Sequence, residues 1–178
     1  MKVNDLTIEE MFQSREELRY QLDNKSVKLL KALTRTIDGL NAISFFDWTR
    51  CDSDEPMYRH PQNPCSVIDE LARFYETIYE RYADRIRFDE VDQGFRDAVK
   101  GLKKISLICD KDSSVRIELC RKIYAEIDEG CTSNRTFSWY ALRGILQSAL
   151  DAYRCERFSW VFQWRNAAKY LRSVVREK

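Results

Sequence analysis

Apolar residues recur every three or four positions along almost the whole chain, a spacing typical of amphipathic helices. The clearest example is the stripe formed by Val27, Leu30, Leu33, Ile37 and Leu40. Comparable stripes follow over residues 66–82, 89–109, 114–130 and from about 136 onward. The pattern predicts an all-α protein, with a single domain over residues 1–178 that packs six or seven helices around one core.

Several helix starts are marked by polar residues that favour the first turn. Thr7 and Glu10 have capping-box spacing, which predicts a first helix from Thr7. Ser26, Ser66 and Asp89 are expected to cap later helices, and Ser113 or Ser114 begins the next. Three of these serines stand before valine (Ser26, Ser66 and Ser114), and we attribute this to helix-start preference rather than to an internal duplication.

One segment, residues 47–65, breaks the helical pattern. It contains all three prolines of the chain, Pro56, Pro61 and Pro64, and proline restricts its own backbone and that of the residue before it. We therefore predict a long loop here.

The core faces of the middle helices follow from the same spacing. The residues expected to point inward are Val67, Leu71, Tyr75, Ile78 and Tyr82, then Val91, Phe95, Ala98, Leu102, Ile105 and Cys109, then Leu119, Cys120, Ile123 and Ile127, and finally Trp139, Leu142, Ala149 and Tyr153.

The stretch from Phe158 to Trp164 is ambiguous, because aromatic residues alternate there with smaller or polar ones as they do in a strand. No second alternating run offers a partner strand. We therefore predict that a separate last helix, carrying Trp160, Trp164, Leu171 and Val175 inward, follows a helix that begins near Thr136.

Composition narrows the functional classes. Hydrophobic residues make up 44% of the chain, too many for a disordered protein. Only 5 Gly and 1 His are present, which argues against a glycine-rich phosphate loop or a histidine-based catalytic pair. We expect no enzymatic activity and no cofactor.

The sequence shows neither the pattern of a secretory signal nor that of a membrane-spanning helix. The first residues carry acidic side chains instead of an apolar run, and charges interrupt every window long enough to span a membrane. We expect a cytoplasmic protein without membrane contact, and we interpret most of the six cysteines as buried thiols.

Two metal hypotheses arise. The run from Asp110 to Ser114 resembles the start of a calcium loop, but it lacks the turn glycine and the final glutamate. Cys51, His60 and Cys65 supply the nitrogen and sulfur donors that zinc prefers, yet a tetrahedral site needs a fourth ligand and their spacing fits no familiar pattern. We expect no metal, with these three residues as the candidates if zinc binds.

Charge is segregated along the chain. Residues 1–134 have a net charge of −5 and residues 135–178 a net charge of +6. Four cations near the C-terminus recur at helical spacing on one face, and two phenylalanines extend that face. We call this set the C-terminal stripe; its members are Phe158, Phe162, Arg165, Lys169, Arg172 and Arg176.

The stripe predicts a binding surface. Arginine and aromatic side chains are common anchors of protein contacts, so we interpret the chain as a non-catalytic adaptor, inhibitor or subunit that binds a protein partner. Nucleic acid is the alternative partner, because cations follow phosphates and rings stack on bases. A solvated helix face, or a face neutralised by the acidic part of the chain, would be the structural explanation. The oligomeric state does not follow from the sequence.

Overall fold

The computed structural model of the chain describes residues 24–46, 58–109, 114–130 and 139–176. The described part is all-helical and contains five α-helices and no strand. The helices are α1 (Asn24–Ala42), α2 (Val67–Tyr82), α3 (Asp89–Ile108), α4 (Ser114–Gly130) and α5 (Trp139–Arg176). Short 3₁₀ turns at Ile43–Phe45, Pro64–Ser66 and Ala83–Arg85 flank α1, α2 and the link to α3.

The described residues contain five helices, whereas six or seven were predicted for the whole chain. The helix predicted from Thr7 lies outside the described residues, as do residues 47–57 of the predicted loop. The two helices predicted after Thr136 are the two arms of α5, which join across a kink at Phe158, where the backbone angles are non-helical (φ −119°, ψ 20°). The strand considered for residues 158–164 is helical.

The predicted core faces are confirmed in α2, α3 and α4, where every residue expected to point inward is buried. In α1 the buried face includes Leu33, Ile37 and Leu40, while Leu29 is buried more deeply than Leu30. In α5 the predicted Leu142, Ala149 and Tyr153 are also buried. The apolar spacing thus located one continuous core, as burial of the stripes requires.

Helices α1 and α3 approach each other closely through small residues. A Cβ atom added to Gly39 would lie 2.7 Å from the backbone nitrogen of Ala98 and 2.7 Å from the backbone oxygen of Gly94. A Cβ on Gly101 would collide with the Thr36 hydroxyl. Glycine is therefore required at these positions by the proximity of the neighbouring helix rather than by backbone angles.

The helix starts differ in detail from those predicted. Ser66 ends a 3₁₀ turn and makes no capping hydrogen bond with its side chain, whereas the Asn63 side chain accepts a hydrogen bond from the Cys65 backbone N–H. Helix α3 is preceded by Phe88, and Asp89 is its first residue, where a carboxylate still complements the helix dipole. Helix α1 begins at Asn24, two residues before the predicted Ser26 cap.

Candidate functional site

The first half of α5 is a core helix. Its buried residues include Leu142, Leu146, Leu150 and Tyr153, and it packs against both α1 and α4. The Arg143 guanidinium donates a hydrogen bond to the Leu40 backbone oxygen over 3.3 Å, which ties the start of α5 to the end of α1.

Polar contacts further along set the direction of α5. Arg143 contacts Leu40, and Arg154 Nη1 lies 3.4 Å from the Thr34 hydroxyl, so α5 runs antiparallel to α1. Lys122 Nζ lies 2.7 Å from a Glu156 carboxylate oxygen, and Arg157 Nη1 lies 3.9 Å from Glu118, so α5 also runs antiparallel to α4.

Residues 165–176 come after the bend at Phe158. The contacts that fix the direction of α5 all lie before that bend, between Arg143 and Arg157. The twelve residues from 165 to 176 are helical and add about 18 Å of helix at 1.5 Å per residue. We call residues 165–176 the α5 extension.

The structure places the C-terminal stripe only in part on this extension. The backbone is helical to Arg176, which supplies the register that the predicted cationic face requires. Lys169 is exposed. The side chains of Phe162, Arg165, Arg172 and Arg176 lie outside the described residues.

Phe158 does not belong to an exposed surface. Its side chain is only 2% exposed and belongs to the hydrophobic core, at the position where the helix backbone is distorted. The expectation that it extends the cationic face is wrong, because that expectation assumed a regular helical rotation through residue 158. Phe158 instead anchors the bend of α5 to the core.

Two shorter basic stripes recur at helical spacing, and ion pairs partly neutralise them within the bundle; their members are Lys28, Lys31 and Arg35 on α1, and Arg96, Lys100 and Lys103 on α3. Arg35 pairs with Asp97 at 2.8 Å, Arg96 pairs with Asp92 at 3.1 Å, and Lys103 pairs with Glu76 at 2.7 Å. The other cations of these stripes are Lys28, Lys31 and Lys100, which are exposed and form no ion pair within the described part of the chain. Of these six cations, Arg35 and Lys103 form ion pairs between helices, whereas Arg96 pairs with Asp92 within α3.

His60, the zinc candidate, is packed into the bundle. Its ring stacks on Tyr124 of α4 with centroids 4.1 Å apart. Its Nδ1 forms a 3.1 Å hydrogen bond with the Tyr58 hydroxyl, and its Nε2 lies 3.3 Å from a carboxylate oxygen of Asp128. Burial lowers the pKa of His60, and the Asp128 carboxylate offsets this only in part because the contact is long.

The described residues contain no group of three histidine, cysteine or acidic side chains arranged to hold a metal. Cys51 lies outside them. The segment after residue 57 is attached to α4 by the stacking of His60 on Tyr124 and by the contact of His60 with Asp128, while the Tyr58–His60 hydrogen bond lies within the segment.

Arg116 of α4 joins four segments, and sequence reasoning missed it. The side chain is 3% exposed, and its Nη1 donates to the backbone oxygens of Ser106 and Cys109 over 2.9 and 3.2 Å. Its Nη2 lies 3.4 Å from the Cys65 backbone oxygen and 3.1 Å from an Asp69 carboxylate oxygen. A cation here complements the C-terminal dipole of α3. The only sequence signal for Arg116 was its place one turn before the core residue Cys120. An arginine at that spacing can be either buried or exposed.

No helix in the described ranges is both long enough and apolar enough to cross a membrane. Comparisons with known proteins give no relative: no family model, no curated protein and no solved structure matches the chain. Function therefore has to be argued from the surface itself.

Proposed function

We propose that the chain is a non-catalytic helical binding protein, an adaptor, inhibitor or subunit of an assembly, that contacts a protein partner through the cations of the α5 extension. The observation that carries the proposal is the helical backbone of residues 165–176, which has the register that a common face of the four cations requires. The exposure of Lys169 on that segment supports it.

The ion pairs in the rest of the bundle support a contact surface that is confined to α5. On α1, α3 and α4, ion pairs such as Arg35–Asp97, Lys103–Glu76 and Lys122–Glu156 use cations to join neighbouring helices. Such pairs leave less free positive charge on the body of the molecule. Positive charge concentrated on one helix would direct an acidic partner to that helix and increase its rate of association.

Of the two aromatic anchors that the sequence suggested, Phe158 and Phe162, the proposal no longer includes Phe158 in the contact surface. Phe158 is in the core, so it stabilises the base of the extension rather than touching a partner. Its contribution is to hold the direction of α5, and a rigid helix loses less conformational entropy on binding than a loop does.

A triple charge reversal tests the proposal. The variant R165E/K169E/R172E and the wild-type chain are each immobilised and exposed to an extract from the cells that naturally contain the protein, and retained proteins are quantified by mass spectrometry. We expect one or a few partners to be retained by the wild-type chain and to fall at least tenfold on the variant.

A matched control separates this site from net charge. The variant K28E/K31E/K100E changes charge by the same amount at three exposed lysines of α1 and α3. It should retain the partner at close to the wild-type level. If the α5 variant retains the partner equally well, or if the control loses it equally, the α5 extension is not the contact surface.

Nucleic acid is the second candidate, because the same four cations could neutralise phosphates. If all four do so, the affinity for a single-stranded oligothymidine should fall about fifty-fold between 50 and 200 mM salt, from a logarithmic slope of about −0.7 per phosphate. A protein contact with an apolar component should lose less. Absence of measurable oligothymidine binding at 50 mM salt would exclude this candidate.

A further inference from the structure

We propose that Cys65 and Cys120 form a site of reversible oxidation, at which a peroxide links the turn before α2 to helix α4 through a disulfide. The inference is independent of the proposed binding function. It rests on the packing of these two elements around Arg116 and on the different exposure of the two thiols.

The two cysteines lie on segments that face each other. The Cys120 Sγ donates a hydrogen bond to the Cys65 backbone oxygen over 3.6 Å. Since a backbone oxygen is about 2.4 Å from its own Cα, the Cys120 sulfur lies within about 6 Å of the Cys65 Cα. Since Sγ is about 2.8 Å from its own Cα, the two Cα atoms lie within about 9 Å of each other, and a disulfide needs them about 4.4–6.8 Å apart. Closure therefore requires the turn and α4 to move together by about 2 Å at most.

Arg116 holds this geometry. It lies one turn before Cys120 on α4, and its guanidinium reaches both the Cys65 backbone oxygen and the Asp69 carboxylate. The 3₁₀ turn Pro64–Ser66 is therefore fixed against α4 by contacts of Arg116 and Cys120 together. Cys65 and Cys120 are kept close in the reduced protein.

The different exposure of the two thiols determines which of them reacts first with the oxidant. Cys65 is partly exposed, whereas Cys120 is buried. Burial raises the pKa of Cys120 to about 11, and the nearby Arg116 opposes that rise only in part. Because the thiolate is the reactive form, Cys65 meets the oxidant and Cys120 acts second as the resolving thiol.

The chemistry balances with hydrogen peroxide as the oxidant. The Cys65 thiolate attacks one peroxide oxygen, the O–O bond breaks, and water leaves after protonation to give Cys65 sulfenic acid. The Cys120 sulfur then attacks the Cys65 sulfur, the S–O bond breaks, and the Cys120 thiol proton leaves with hydroxide as water. Two thiols lose two electrons, and the peroxide is reduced to two waters.

Trypsin makes the product easy to identify, because each of the six cysteines falls in a separate tryptic peptide. Cys65 lies in residues 60–73 and Cys120 in residues 117–121. The folded chain is treated with equimolar peroxide, alkylated, and digested without reductant. We expect the two peptides to appear linked, two hydrogens lighter than their sum, and to separate on treatment with dithiothreitol.

Two variants complete the test. C155S removes the exposed Cys155 and should leave the link unchanged. C120A should abolish the link and let Cys65 advance to the sulfinic acid, and C65S should give no link at Cys120 with Cys109 or any other cysteine. The proposal is overturned if Cys65 in the wild-type chain becomes sulfinic or stays reduced without linking, or if it links to a different cysteine.

Discussion

The close approach of α1 and α3 makes opposite predictions for two substitutions of the same chemical kind. Gly39→Ala places a methyl group 2.7 Å from two backbone atoms of α3, which cannot rotate away as a side chain end could. Gly144→Ala, in α5, places a methyl group where no atom lies within 4 Å. Both glycines are inside helices, so both substitutions gain the same intrinsic helix propensity.

The magnitudes follow from two opposing contributions. Overpacking costs about 1–3 kcal/mol, and contact with backbone atoms argues for the upper part of that range. Replacing a helical glycine by alanine returns about 1 kcal/mol. We expect Gly39→Ala to lower the free energy of unfolding by about 1–2 kcal/mol and Gly144→Ala to raise it by about 0.5–1 kcal/mol.

The assay is urea unfolding followed by far-ultraviolet circular dichroism, with thermal unfolding as a second readout. A difference of about 2 kcal/mol between the variants corresponds to a difference in melting temperature of about 4–8 °C for a chain of this size. The m values should stay equal to that of the wild-type chain. Equal stability of the two variants, or a more stable Gly39→Ala, would refute the close approach of the two helices.

Three further outcomes follow. Gly101→Ala should destabilise the fold by about 1–3 kcal/mol, because the new methyl group meets the Thr36 hydroxyl. Adding Thr36→Ala should restore part of that loss in denaturant unfolding, and strictly additive effects of the two substitutions would contradict this. Arg116→Met should cost about 3 kcal/mol in the same assay, because buried carbonyl oxygens lose their donor; a loss below about 1 kcal/mol would show that water replaces it. His60 is the single histidine, and its lowered pKa means that the folded chain takes up its proton less readily than the unfolded chain. The stabilising effect of neutral His60 is thus complete above about pH 6.5 and is lost as the pH falls below that value. The His60→Gln variant should therefore lose less free energy of unfolding than the wild-type chain between pH 7 and 5.5. An equal dependence of the unfolding free energy on pH in both chains would contradict this.

Periodicity allowed most of the core to be predicted. The inward faces of α2, α3 and α4 follow from spacing because burying an apolar stripe dominates the energetics of an amphipathic helix. The bend of α5 could not be predicted in the same way. No proline or glycine marks residue 158, and a phenylalanine there fits a regular helix as well as a distorted one.

The contacts between helices could not be predicted from the sequence either. Whether a cation such as Arg35 or Lys103 faces water or a carboxylate depends on how neighbouring helices are rotated, and a single stripe carries no information on that. The same holds for Arg116, whose burial depends on backbone oxygens supplied by two other segments. Glycine at residues 39, 94 and 101 gave no periodic signal, although it sets the distance between α1 and α3.

The central claim is that a partner covers the α5 extension, and protection of Lys169 from acetylation tests it most directly. The free chain and the chain with its captured partner are treated briefly with acetic anhydride, and modification is quantified by mass spectrometry at Lys169 and at Lys100, which is also exposed. Our account predicts that the partner slows acetylation of Lys169 severalfold and leaves Lys100 unchanged. Equal rates at Lys169 with and without the partner, or protection of Lys100 alone, would contradict it.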